Sequence, residues 1–122
     1  MIEIKEGIDL DRAIAGAIGI GTYGSTVCLM QAHEWDKLFG RNDTDTVMDM
    51  PFMPSSHLDA AFAASEVAGL FNNYRVLRKN RHHWEVYEVG ESLDRVVSTG
   101  DTPALAICAA ILKTIQEGHT TT

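Results

Sequence analysis

The feature that most constrains this chain is its last apolar segment. Thr102 and Pro103 open it, and Leu105, Cys108, Ala109, Leu112 and Ile115 recur at helical spacing. Ala106, Ile107, Ala110 and Ile111 widen that stripe until little of the helix surface is polar. A helix so apolar must be covered on more than one side, which places it at the centre of a core. Thr102 is suited to N-cap it and Pro103 to its first position. Gly118 is the expected stop, and 118–122 are expected to form a frayed tail.

The other elements are those that can cover such a helix. Asp9 is a candidate N-cap for a first helix in which Leu10, Ala13, Ile14, Ala17 and Ile18 form one stripe, ended by Gly19. Ser56 and Asp59 resemble a capping box for an Ala-rich helix from about His57 to Phe71, ended by Asn72-Asn73. Tyr74–Arg78, His83–Val89 and Leu93–Thr99 read as strands of an antiparallel meander, with a turn at Lys79-Asn80-Arg81. Ile2–Lys5 alternates and is a fourth strand candidate. Residues 20–53 read as an irregular insert, with a short strand within Thr26–Met30 and a helical turn or two within His33–Phe39. Asn42, Asp43, Thr44, Asp45 and Thr46 favour turns there. The fold class is α+β: a three-layer-like α/β sandwich of about three helices and three to four strands. At 122 residues the chain, 1–122, is read as a single domain.

Charge narrows the partners. The net charge is −7, which disfavours duplex nucleic acid. Arg75, Arg78, Lys79 and Arg81 carry +4 between Tyr74 and His83, so the remainder of the chain carries −11. A basic strip on an acidic protein suits a small anion and repels long polyanions. The plainer reading is a solvated hairpin rim balanced by Glu85 and Glu88. Cys28 and Cys108 lack CxxC spacing and read as reduced core residues. No apolar run approaches the ~20 residues of a membrane span, and the opening Met1–Glu6 lacks the pattern of a secretory leader. A cytoplasmic protein without membrane attachment is expected.

Motifs for chemistry are weak. Gly19, Gly21 and Gly24 spell GxGxxG, but a helix precedes them and a strand-like run follows. That is the reverse of a dinucleotide site, and a flexible turn is expected. His33-Glu34 lacks the second histidine of HExxH, and His82 and His83 point to opposite faces of a strand. No metal, no cofactor and no catalytic constellation are expected. Ser98-Thr99-Gly100-Asp101-Thr102-Pro103 leads from a strand into a helix N-terminus, where free N–H groups favour an anion and Asp101 opposes it. Tyr23 and Trp35 lie in the irregular insert and can stack a ring; Trp84 is expected in the core.

Several segments taken together resemble a known family. They are Leu10-Asp11-Arg12-Ala13-Ile14-Ala15 with Gly19; Pro54-Ser55-Ser56 before the Ala-rich helix; Trp84 in a strand; and Thr102-Pro103-Ala104-Leu105-Ala106-Ile107-Cys108-Ala109-Ala110. The pattern resembles the phage ABA-sandwich domain family and, more loosely, NinX-type proteins of lambdoid phages. The resemblance covers most of 8–115. The family's Tyr-Ser-Thr-Asp stretch appears only as Ser55-Ser56-His57-Leu58-Asp59, and 20–53 has no counterpart. The resemblance implies a phage or prophage origin, a small α/β sandwich, and action inside an infected bacterial host. It supplies no catalytic residues.

Two binding functions are therefore expected to compete. In the first, the chain is a phage anti-defence protein that sequesters a small anionic nucleotide immune signal without turnover. Arg41, Arg75 or Arg78 would neutralise phosphate, Tyr23 or Trp35 would stack a base, and His83, Ser98 and Thr99 would contact the ligand. A homo-oligomer is expected, because a small chain makes a deep pocket more easily at an interface. In the second, the chain inhibits a host defence protein by direct binding through its acidic surface, with Asp43, Asp45, Asp49, Glu85 and Glu88 on one face. An accessory domain without a ligand is the third and plainest reading.

Overall fold

The computed structural model describes residues 4–41, 46–71 and 75–120, with side chains to 116. Four helices are α1 (Ile8–Ala17), α2 (Ala32–Leu38), α3 (Leu58–Ala68) and α4 (Pro103–Thr120). Six strands are β1 (Thr22–Tyr23), β2 (Leu29–Met30), β3 (Met50–Pro51), β4 (Arg75–Asn80), β5 (His83–Glu88) and β6 (Arg95–Gly100). They form two antiparallel sheets, β1-β2-β3 and β4-β5-β6. The fold is α+β, a sandwich in which α4 is the middle layer.

Helix α4 packs on β5 and β6 and, on its other side, on α1 and α3. Five successive residues from Ala104 to Cys108 are buried, as a helix covered from two sides requires. Thr102 caps it as expected: its Oγ1 accepts the Leu105 N–H at 3.1 Å. Gly100 lets the strand approach, because a Cβ there would lie 2.5 Å from the Ala106 nitrogen. Gly118, expected as the stop, lies inside the helix, which continues to Thr120.

Other boundaries move for definite reasons. α1 starts at Ile8, one residue before the expected Asp9 cap, with Gly7 at the cap position and no capping side chain. Gly19 ends α1 as expected, at φ 81°, with Ile20 N–H bonded to Ala15 and Gly19 N–H to Gly16. α3 ends at Ala68 rather than Phe71, because Gly69 takes the left-handed conformation at φ 67°. The Ser56–Asp59 capping box does not form. His57 holds the cap position, Ser56 Oγ bonds to Met53 O, and Asp59 accepts from Ala60 N–H. Ile4 and Lys5 are not in a strand; the rest of that expected strand lies outside the described residues. The β4–β5 turn is Arg81-His82, with Arg81 at φ 57°, rather than 79–81.

The segment 20–53 is more ordered than expected. Its strands are two residues long, and side chains hold them. Asp49 accepts from the Tyr23 hydroxyl and from Ala32 N–H, the latter at 3.1 Å. Buried Asp36 accepts from both the hydroxyl and the N–H of Thr46. Asp11 on α1 is buried and accepts Ser55 N–H at 2.9 Å, while Ser55 Oγ accepts Gly7 N–H at 3.0 Å. Gly24 at φ 106° turns beneath the Val27 carbonyl, so the glycine motif is a turn.

Candidate functional site

Alternation along the meander divides its residues between two faces. Leu77, Trp84 and Val86 face α4 and its core, as does Ser98, whose hydroxyl donates to Ala106 O at 2.7 Å. The opposite face carries Val76, Arg78 and Asn80 from β4, His83, Glu85 and Tyr87 from β5, and Val96 and Thr99 from β6. Arg78, Glu85 and Thr99 make one cross-strand row, and Asn80 pairs with His83 in the next.

Glu85 organises this face. Its side chain is only 3% exposed although no helix covers it. Arg78 Nε donates to Oε1 at 2.6 Å, Asn80 Nδ2 donates to Oε2 at 3.3 Å, and His83 Nε2 lies 3.7 Å from Oε2. The Arg78 hydrogen bond holds the Glu85 carboxyl below its ordinary pKa, against the opposing effect of burial. Arg78 also lies over Tyr87, its Cζ 4.0 Å from the ring centroid. The guanidinium is thus fixed on two sides. Among the described residues only Glu85 accepts from it, through Nε, and the side chain is 45% exposed. An exposed Arg held in one place is the group that binds phosphate or carboxylate bidentately.

Of the eight candidates from the sequence, the structure brings together Arg78, His83 and Thr99. The other five lie elsewhere. Arg75 is three residues from Arg78 and therefore on the other face. It pairs with Glu88 at 3.4 Å and donates to Leu70 O and Thr114 Oγ1, tying β4 to α4 and the end of α3. Ser98 is adjacent to Thr99 and so also faces inward. The N-terminus of α4 is a packed joint of Gly100, Thr102 and Leu105. Trp35 stacks on Phe39 with centroids 4.4 Å apart and packs on the core. Tyr23 is 45% exposed, but its hydroxyl belongs to Asp49, which raises the phenol's pKa. Arg41 is exposed at the end of the α2 segment.

No family model, curated protein or solved structure matches this chain.

Among the described residues, the carboxylates expected on one acidic face do not share one. Glu85 is enclosed, Glu88 pairs with Arg75 and Arg95, and Asp49 is bonded within its own sheet. Asp43 and Asp45 lie outside the described residues. Sequence reasoning had Glu85 only as a charge balancing the rim, and missed Tyr87 beneath Arg78 and Asn80 as a second donor to Glu85. The signal was present: a two-residue turn at 81–82 places Glu85 opposite Arg78 and His83 opposite Asn80.

Cys28 and Cys108 are both buried and unpaired, and burial raises both thiols, Cys108 to about 12. Neither is a nucleophile at neutral pH. Among the described residues no group of three potential ligands is placed to hold a metal, and no helix is long and apolar enough to cross a membrane.

Proposed function

We propose that this chain is a non-catalytic binding protein that captures a small anionic ligand of the nucleotide type on the outer face of the meander. The observation that carries the reading is Arg78. It is anchored by enclosed Glu85, laid over Tyr87, and flanked by His83 and Thr99 on an open face. Arg78 meets a phosphate group, Thr99 adds a hydroxyl donor, and His83 adds a second positive charge when protonated. The turn residue Arg81 raises the local positive potential, while the acidic remainder repels longer polyanions.

The face is open, so tight capture calls for closure by a second copy. Val76 and Val96 flank Tyr87 and are 40% and 46% exposed, which supplies apolar surface for that contact. On this reading the protein is a homo-oligomer. Its similarity in pattern to small phage proteins makes sequestration of a host immune nucleotide the role we favour.

Thermal melting against cyclic di- and trinucleotides and cyclic ADP-ribose isomers tests the proposal. Ligand at about 1,000 times its Kd adds roughly 4 kcal/mol to the folded state. At this size that raises the melting temperature by more than about 10 °C. One large, selective shift is expected, with most of it lost in Arg78→Lys and part in Thr99→Val. A flat panel, or a shift that both variants retain, overturns the reading.

A further inference from the structure

The surface of α3 that faces away from α4 is occupied by neither core nor sheet. Leu58 and Phe62, one helical turn apart, are 39% and 40% exposed there, and Val67, on the flank of the helix, is 54% exposed. Beside it lies α2, and two neighbouring cavities lie along the two helices. One, of about 580 Å³, runs over Phe39, Phe62 and Glu66; the next, of about 320 Å³, runs over Ile18, Glu34 and Val67. Lys37 and Leu38 line both. The lining mixes apolar and polar groups. Asp59, Glu66 and Glu34 border the cavities with one base among the lining residues, Lys37, and Glu34 also lies 3.4 Å from His33. Among the described residues the Glu66 carboxylate has no partner, and Asp59 is bonded only to the N–H of Ala60.

We propose that this surface is the docking site for a basic amphipathic helix of a partner protein. Three observations select that occupant. First, exposed Phe62 with Leu38 and Phe39 makes an apolar patch between two helices, the setting in which a third helix lays its i, i+3, i+4 and i+7 residues. Second, the eleven residues of α3 run about 16 Å, three turns, so one face of a short helix is matched along its length. Third, the lining carries three carboxylates and one ammonium. It therefore favours Lys or Arg flanking the apolar stripe and rejects an acidic helix. The surface belongs to the helical layer across α4 from the meander, so this proposal stands independently of anion capture.

The test is fluorescence anisotropy with a labelled synthetic helix of about 18 residues, five turns, carrying Leu on one face and Lys elsewhere. Saturable binding is expected. It should weaken roughly tenfold in Glu66→Lys, a change worth about 1.4 kcal/mol, and should weaken also in Phe62→Ser. Glu91→Lys makes the same charge change in the exposed β5–β6 turn and should leave binding unchanged. Melting curves establish that each variant is folded, and Glu66→Lys alters only an exposed side chain. Three results would each overturn the proposal: no saturable binding, equal weakening by Glu91→Lys, or equal binding of a peptide with Glu in place of Lys.

Discussion

The meander with α4 and the segment from 20 to 53 are built by different means. In the first, six-residue strands and an eighteen-residue helix bury apolar side chains in long registers. In the second, two-residue strands bring Cys28, Met30 and Phe52 into the core, and carboxylates fasten the segment besides: Asp49 to Tyr23 and Ala32, and Asp36 to Thr46. Apolar burial is non-directional and shared among many contacts. A carboxylate latch is directional, and it fails when one partner is removed. The candidate anion face sits on the first kind of structure, which can hold Arg78 to a fixed geometry.

The largest expected effect breaks the apolar half. Ile107 is fully buried in the middle layer. Ile107→Ala should cost about 2–5 kcal/mol, lowering the melting temperature by on the order of 8–20 °C. The loss should appear equally by every probe, because both outer layers rest on this helix. A small loss would mean that α4 is not the common core.

Removing a latch should be smaller and local. Asp36→Ala leaves Thr46 without its acceptor and should cost about 1–3 kcal/mol. Amide exchange at Thr46 should accelerate while α4 amides keep their protection. Asp36→Asn, which keeps an acceptor, should restore part of the loss. Uniform acceleration through α4 would erase the distinction between the two regions.

The pH dependence separates two buried carboxylates, Glu85 on the meander and Asp11 on α1, by sign. Glu85 on the meander has a lowered pKa, chiefly from Arg78. Its contribution is present above the ordinary glutamate value and is lost as pH falls through the folded value. Asp11, latched to Ser55, has a raised pKa because burial outweighs its hydrogen bonds. The folded state then binds that proton more readily, so its contribution grows as pH falls through the folded value. Acid titration of the melting temperature should become shallower in Glu85→Gln and steeper in Asp11→Asn. Matching slopes in the two variants would refute these assignments.

The smallest expected effect is at Trp35. Its indole N–H is buried with no acceptor among the described residues. Trp35→Phe removes that unpaired donor along with some ring area, so the two effects oppose each other. The net change should lie within about 1 kcal/mol by denaturant unfolding. A larger loss would show that the N–H is satisfied in solution.

This contrast also governs what the sequence reveals. α4, its Thr102-Pro103 start and the three meander strands follow from periodicity and caps, because each is long enough to show a period. Strands of two residues show none. The Asp36–Thr46 and Asp49–Tyr23 latches join residues 10 and 26 positions apart, with no local signature. The failure at Arg75 and Ser98 was different. Strand alternation already separates Arg75 from Arg78 and Ser98 from Thr99. Treating the basic strip as one surface overlooked that parity. Glu85, read as one balancing charge on a rim, is the enclosed anchor of the site.

The central claim is that Arg78, with His83, Glu85 and Thr99, forms an anion-binding face on the meander. Amide chemical-shift mapping with inorganic pyrophosphate and with a cyclic dinucleotide tests it most directly. The account predicts saturable shifts centred on the amides of Arg78, His83, Glu85 and Thr99, absent in Arg78→Lys. Shifts centred on Tyr23, Trp35 and Arg41, or no saturable shift with either probe, would contradict it.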